Sequence, residues 1–332
     1  LPGLKANRAT IAVMGVGLLL ATRQVSFDEL SALVDSSTII LLFSMMVINA
    51  NLRLAGFFEW VGGTLLRITR SPRGLLAVVI VVAGVLSALF LNDTVCLMFT
   101  PLVVEVTLAA RRKPTPYLIA LATAANIGST ATITGNPQNM IIGVASGIGY
   151  LSFAAALVPV ALLGLVVVWV VLVRLYPDEF APVPLSGPTS SSVAIDRVLM
   201  AKSLVVVTGL LVALLAGAPP APAALVAACV LLITRRVQPE VVLASCDWGL
   251  LVFFCGLFVL TGVLESSGAT GRLFSLLNVK RVGSVWTLTA VTTTLSNLVS
   301  NVPAVLLLKP VAASAASPTA GWLTLAASST LA

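Results

Sequence analysis

Asp93 is the residue most able to do chemistry: a lone carboxylate in the apolar run NDTVCLMFTP, with Asn92 before it and Thr94 and Cys96 after it. Inside a membrane segment an ionised carboxylate costs at least ~2.5 to 3.5 kcal/mol, so it must pair, take up a proton or meet water. One role for Asp93 is therefore reversible proton binding. The other is capping, because Asp accepts well from the first N–H groups of a helix. A second polar patch, ANIGSTATITGNPQNMIIG from Ala125 to Gly143, carries Asn126, Gly128, Ser129, Thr130, Thr132, Thr134, Asn136 and Asn139. A third is formed by Asn297, Ser300 and Asn301. These amides and hydroxyls are neutral donors and acceptors, suited to a small polyhydroxylated solute that needs no fixed cation. They would equally satisfy the backbone of an interrupted helix, and the sequence leaves both readings open. Cys96 lies one helical turn after Asp93 and reads either as a thiol near a ligand path or as a small apolar packing residue.

The rest of the chain is built to hold these patches in a bilayer. Of 332 residues 58% are hydrophobic and 9% charged, with a mean hydropathy of +1.09; soluble proteins carry roughly 25% charge. This is the composition of an all-α polytopic membrane protein. The net charge of +7 does not mark nucleic-acid binding, because Lys and Arg fall between apolar runs and not on one face. Histidine is absent, which removes the usual general base, metal ligand and proton carrier near neutrality. Cys96, Cys229, Cys246 and Cys255 have neither paired nor metal-type spacing, so no disulfide, metal or cofactor is expected. With no nucleophile and base pair either, the chain does not read as an enzyme. Lys5 and Arg8 precede an apolar run that lacks a cleavage site, and no signal peptide is expected.

Hydropathy places spans at about 9–22, 36–52, 151–173, 203–215, 223–234 and 248–264, with 54–68 lying at the interface and a weakly amphipathic piece running through Asn278. Leu75 to Leu91 and Thr94 to Ala110 form two apolar limbs around Asn92 and Asp93. Gly128, Gly135 and Pro137 prevent an unbroken helix across 117–149, which predicts a broken one. Non-helical backbone at that depth must be buried in protein or line a polar cavity. Val285 to Val299 and Pro303 to Leu308, around Ser300 and Asn301, repeat the limb and tip pattern.

An internal duplication connects these pieces. Leu86 to Pro101 lies over Leu295 to Pro310, aligning Asn92 with Asn301. Asp35 to Phe58 lies over Asp247 to Thr270, and Tyr117 to Gly128 over Gly321 to Ala332. Three blocks in one order point to two repeats. The expected division is 1–175, a first repeat with a leading helix, a hairpin at 75–110 and the broken helix at 117–149; 176–198, a proline-rich linker; and 199–332, a second repeat with its hairpin at 284–316. If both hairpins are re-entrant the repeats are inverted, and Lys and Arg then divide fourteen inside to five outside, as the positive-inside rule requires. Inverted repeats with interrupted helices are the architecture of secondary transporters. The last block ends before any counterpart of Gly128 to Asn139, so the natural protein is expected to continue through another broken half-helix and a final span.

NDTVCLMFTP, the Ala125 to Gly143 patch and SNVPAVLLLKP together resemble the ion transporter superfamily, and within it the arsenite/antimonite efflux permeases, or arsenical pump membrane proteins, and their anion permease relatives. The resemblance runs from about Asp35 to the end. It implies a scaffold domain and a moving transport domain that contains both hairpins and both broken helices, in the inner membrane of a bacterial-type cell. It also implies export of arsenous acid, and of antimonite, in exchange for protons, with Asp93 coupling the proton. The cargo lining would be drawn from Asn92, Thr94, Cys96, Asn126, Gly128, Ser129, Thr130, Thr134, Asn136, Asn139, Ser300 and Asn301. Sodium-coupled dicarboxylate relatives carry Ser-Asn-Thr at each tip, whereas this chain has Leu91, Asn92 and Asp93 in one and Ser300, Asn301 and Val302 in the other. The asparagines fit and the hydroxyls largely do not, which favours a titratable carboxylate over sodium. A sodium/proton antiporter, a carboxylate carrier and a passive channel are the competing readings. Oligomeric state and association with a cytoplasmic ATPase are not specified by the sequence.

Overall fold

The computed structural model describes residues 7–181, 195–233, 236–268 and 284–332, without the side chains of 65–68. Within them the chain forms sixteen helices and no strand. In order these are α1 (Arg8–Ala21), α2 (Phe27–Leu33), α3 (Ser36–Leu54), α4 (Phe57–Ile68), α5 (Pro72–Leu89), α6 (Asn92–Ala109), α7 (Pro114–Ser129), α8 (Pro137–Ser146) and α9 (Tyr150–Leu175). After the proline-rich segment come α10 (Arg197–Leu215), α11 (Pro220–Leu232), α12 (Pro239–Ala244), α13 (Trp248–Ser266), α14 (Val285–Val299), α15 (Asn301–Ala313) and α16 (Pro318–Thr330). Most of the expected 176–198 linker and the amphipathic piece through Asn278 lie outside the described residues, as does most of the expected outer charge, Arg272, Lys280 and Arg281.

Local chemistry sets these boundaries. Asn7, Ser26, Asp35, Ser71, Asp196, Asp247 and Ser284 each accept from a backbone N–H in the first turn of the next helix. Such caps satisfy donors that have no partner inside the helix. Proline opens α5, α7, α8, α11, α12 and α16, where its missing N–H costs nothing. Helix α2, which hydropathy leaves as a polar link, is nucleated by a reciprocal capping box between Ser26 and Glu29. The Ser26 N–H and hydroxyl hold the Glu29 carboxyl below its ordinary range.

Six of the described helices, α3, α5, α6, α9, α10 and α13, are long and apolar enough to cross a membrane, and α1, α11 and α15 are shorter apolar helices. The protein is a multi-pass membrane protein. Helix α9 turns Leu162, Leu163, Val166, Val167 and Val171 outward, as a lipid-facing helix must. Helix α3 lies among α8, α10, α11 and α13, and its Leu41, Leu42, Val47 and Ile48 are sealed in the core. Helix α4 buries Phe57 and Phe58 against Phe90, while Phe58 also meets Phe99 edge-on. Burying one apolar face while Trp60 stays exposed is the pattern of an amphipathic helix.

Aligned residues of the two halves take matching conformations. Asp35 and Asp247 each cap a helix of 19 residues, and each helix ends at a glycine with positive φ, Gly56 at 77° and Gly268 at 70°. Both limbs of the first helix pair, α5 and α6, pack on α7; both limbs of the second, α14 and α15, pack on α16.

Candidate functional site

The helix expected to break does so. Helix α7 stops at Ser129 and α8 restarts at Pro137, with residues 130–136 between them. Asn136 caps α8 by accepting from Asn139 N–H at 2.8 Å, and its own amide donates to Ser129 Oγ at 2.8 Å. Asn139, fully buried, donates to the carbonyls of Ser129, Thr130 and Thr132 at 3.1, 3.3 and 3.0 Å. Ser129 Oγ donates to Asn126 O at 2.7 Å, and Thr134 shares a hydrogen with the Tyr150 hydroxyl at 3.1 Å. The amides and hydroxyls therefore mostly bond the interrupted backbone itself, the second of the two readings the sequence allowed. Thr130 Oγ1 and Asn139 Oδ1 are left buried without a partner among the described residues.

The first helix pair docks on this break. Asn92 N–H donates to Gly135 O at 3.1 Å, and the Thr132 hydroxyl donates to Ala88 O. Gly128 allows α5 and α7 to touch through their backbones, since a Cβ there would stand 2.2 Å from Gly84 O. The second half joins here too, with α15 and α16 packed on α8: Thr330 O accepts from the Asn126 amide at 2.6 Å, and Thr330 Oγ1 lies 3.3 Å from the amides of Asn136 and Gln138. Asn126 and Thr330 occupy the same place in the two aligned blocks. Ser300 is exposed and Asn301 half-buried at the other tip, and neither side chain bonds a described residue.

Beside the first tip lies a cavity of about 180 Å³. Asp93 and Thr94 line it from α6, Pro137 from α8, Asn49 and Arg53 from α3, and Ser245 and Asp247 from the junction of α12 with α13. Asp93 is exposed to this space and makes no hydrogen bond to any described residue, so it does not cap α6; Leu91 holds the cap position. Asn49 donates to Thr94 Oγ1 at 3.5 Å. Cys96 packs against the apolar core and is not part of the cavity wall. Among the expected residues, then, Asp93 and Thr94 meet on the cavity, whereas Gly128, Ser129, Asn136 and Asn139 sit in the adjoining network.

Sequence reasoning missed Asn49, Arg53, Ser245 and Asp247 as neighbours of Asp93. Asn49 carried a signal: an amide in the apolar run MMVINANLRL is costly inside a span unless it has work there. Asp247 stood out only as the head of a repeated block. No group of three or more His, Cys, Asp or Glu able to hold a metal occurs among the described residues.

Helices broken beside a polar cavity are a transporter's arrangement, and the family profile described as "CitMHS: Citrate transporter" matches residues 4–332. The chain belongs to this family of transporters. CitMHS relatives differ in what their names say they carry. The "Silicon efflux transporter LSI3" of Oryza sativa subsp. japonica is 31% identical over the whole of this chain and 82% of its own length. The "46 kDa membrane protein" of Mycobacterium leprae is 28% identical over 92% of this chain and 76% of its own. The "Arsenical pump membrane protein" of Escherichia coli is 26% identical over 79% of this chain and 66% of its own.

Proposed function

We propose that this CitMHS transporter exports a small neutral hydroxylated acid, arsenous acid first and antimonite with it, in exchange for protons, and that Asp93 carries the proton. The observation behind this is the place of Asp93: an unbonded carboxylate on a cavity, next to Thr94 and Asn49. A carboxylate with no fixed partner exchanges its proton with the space it faces, and the neutral groups beside it suit an uncharged cargo. The names of two relatives, one a silicon efflux transporter and one an arsenical pump protein, point the same way, because silicic and arsenous acids are both compact, uncharged and surrounded by hydroxyls.

In this reading the two halves are inverted copies, the helix pairs are re-entrant, and the pairs with the broken helix move as a unit against α3, α10, α11 and α13. The hydrogen bond between the aligned residues Asn126 and Thr330 supports it, since equivalent positions meet where a two-fold axis passes between copies. The expected location is the inner membrane of a bacterial-type cell. A carboxylate anion carrier is the competing reading, favoured by Arg53 on the cavity wall and by the family's description.

Inside-out vesicles with an acid interior test the function. Arsenous acid should accumulate in the lumen only while the pH gradient lasts, and Asp93→Asn should reduce uptake to that of vesicles without the protein. Gradient-independent equilibration would make the protein a channel. Gradient-driven uptake of citrate but not of arsenous or silicic acid would make it a carboxylate carrier.

A further inference from the structure

The wall of the cavity opposite Asp93 comes from α3 and from the α12 to α13 junction, and its hydrogen-bonding character is one-sided. Asn49 is 2% exposed; its Oδ1 is sealed and has no partner among the described residues. Its amide is already directed at Thr94 Oγ1. Ser245 gives its hydrogen to Val241 O at 2.8 Å, which leaves its oxygen toward the cavity as an acceptor. Asp247 accepts from Leu250 N–H through Oδ1 and retains its second oxygen. Asp93, Asp247 and Ser245 present acceptors to the cavity, with the sealed Asn49 Oδ1 in the same wall, against two donors, the Arg53 guanidinium and the Thr94 hydroxyl. A buried acceptor without a donor is an expensive thing to keep, so its complement is a ligand that brings O–H groups.

We propose that Asn49 is a cargo-binding residue: when its side chain turns from Thr94 toward the cavity, its Oδ1 accepts a hydrogen bond from one hydroxyl of a neutral solute that carries several, while Asp93 and the free Asp247 oxygen take others. This rests on the export function proposed above and extends it to a part of the chain that neither helix pair nor the broken helix supplies. It also gives the selectivity a chemical cause. A neutral acid of the type M(OH)n offers donors all around, matching the acceptor-rich wall. A carboxylate anion offers acceptors alone, and would meet further acceptors on Asp93, Asp247 and Ser245. The Asn49 contact joins α3 to α6, so the same side chain feels both the cargo and the tip that carries Asp93.

The test is the concentration dependence of gradient-driven arsenous acid uptake in proteoliposomes. Asn49→Leu keeps the volume and removes the acceptor; it should raise KM by about tenfold or more, leaving the number of protons exchanged per cargo unchanged. Asn49→Ser, which restores an oxygen, should recover part of the affinity and serves if the leucine variant does not fold. Unchanged KM in a folded Asn49→Leu or Asn49→Ala variant would overturn the role of Asn49 with the export function intact. Failure of the unsubstituted protein to move arsenous or silicic acid, with citrate moved instead, would overturn the export function and this inference together. The two failures are thus told apart by which protein fails.

Discussion

The two helix-pair tips are aligned in sequence and have different surroundings. In the first, Phe90 and Leu91 sit between α5 and α6 in ordinary extended backbone, are 2% and 6% exposed, and are tied to the broken helix through Asn92 N–H and the Thr132 hydroxyl. In the second, Ser300 alone separates α14 from α15, at φ 86° and ψ 158°, with Leu298 76% exposed beside it. The difference teaches that the first tip owes its surroundings to the non-helical segment after α7: residues 130–136 provide the carbonyl and hydroxyl that hold it, and the aligned block of the second half stops at Ala332, the counterpart of Gly128.

The most severe way to break the comparison is to separate the surfaces that make the first half tight. A Cβ on Gly128 would fall 2.2 Å from Gly84 O and 2.4 Å from Gly84 Cα, both backbone atoms of a packed helix that cannot move aside. Gly128→Ala should therefore cost about 3 kcal/mol or more. A comparable close approach in the second half is at Gly321, where α16 closes on α15 and a Cβ would stand 2.4 Å from Ala312 O. Ala312 lies at the end of α15, next to the turn at 314–317, so the chain there can shift and Gly321→Ala should cost about half as much. Thermal unfolding of both variants in detergent measures this; equal losses would mean that the two halves are equally rigid.

Much of this was legible because membrane helices announce themselves. Val285 to Val299 matches α14 residue for residue, and Gly128, Gly135 and Pro137 marked a break that the structure places at 130–136. Helix α2 was legible in principle, since Ser26 and Glu29 have capping-box spacing, but its seven residues left no hydropathy signal. What the sequence hid was which polar groups meet. Asn136 and Asn139, open in the sequence to cargo or to backbone, bond the local backbone, because carbonyls freed by a helix break are the nearest acceptors. Asn49, Arg53 and Asp247 come to Asp93 from far along the chain, and only the packing of α3 against α8 and α13 brings them together. A pattern read along one element carries no information about such a meeting.

A milder probe works on the docking of the first tip. Thr132→Val keeps the shape and removes the donor to Ala88 O, at a cost of about 1 kcal/mol for the bond and the acceptor it leaves behind. The loss should be local. Hydrogen exchange at residues 88–92 should accelerate, whereas residues 297–301 keep their rates, because no hydrogen bond connects Thr132 to the second tip. Acceleration at both tips would show that they move as one body, and the contrast between a held and an unheld tip would then describe packing alone and not motion.

The gentlest change has the opposite sign. Ser300 holds φ 86° with ψ 158°, a region glycine enters freely and a side chain enters at a cost of about 1 to 3 kcal/mol. Replacing Ser300 with glycine removes that strain but loosens the unfolded chain, so the net gain should be about 0.5 to 1 kcal/mol. A tip at ordinary dihedrals gains nothing in this way, which makes the sign itself informative. If Ser300→Gly raises the unfolding temperature yet slows gradient-driven uptake, the serine is kept for a conformation the tip must leave during transport. If it raises both, the strain does no work in the cycle.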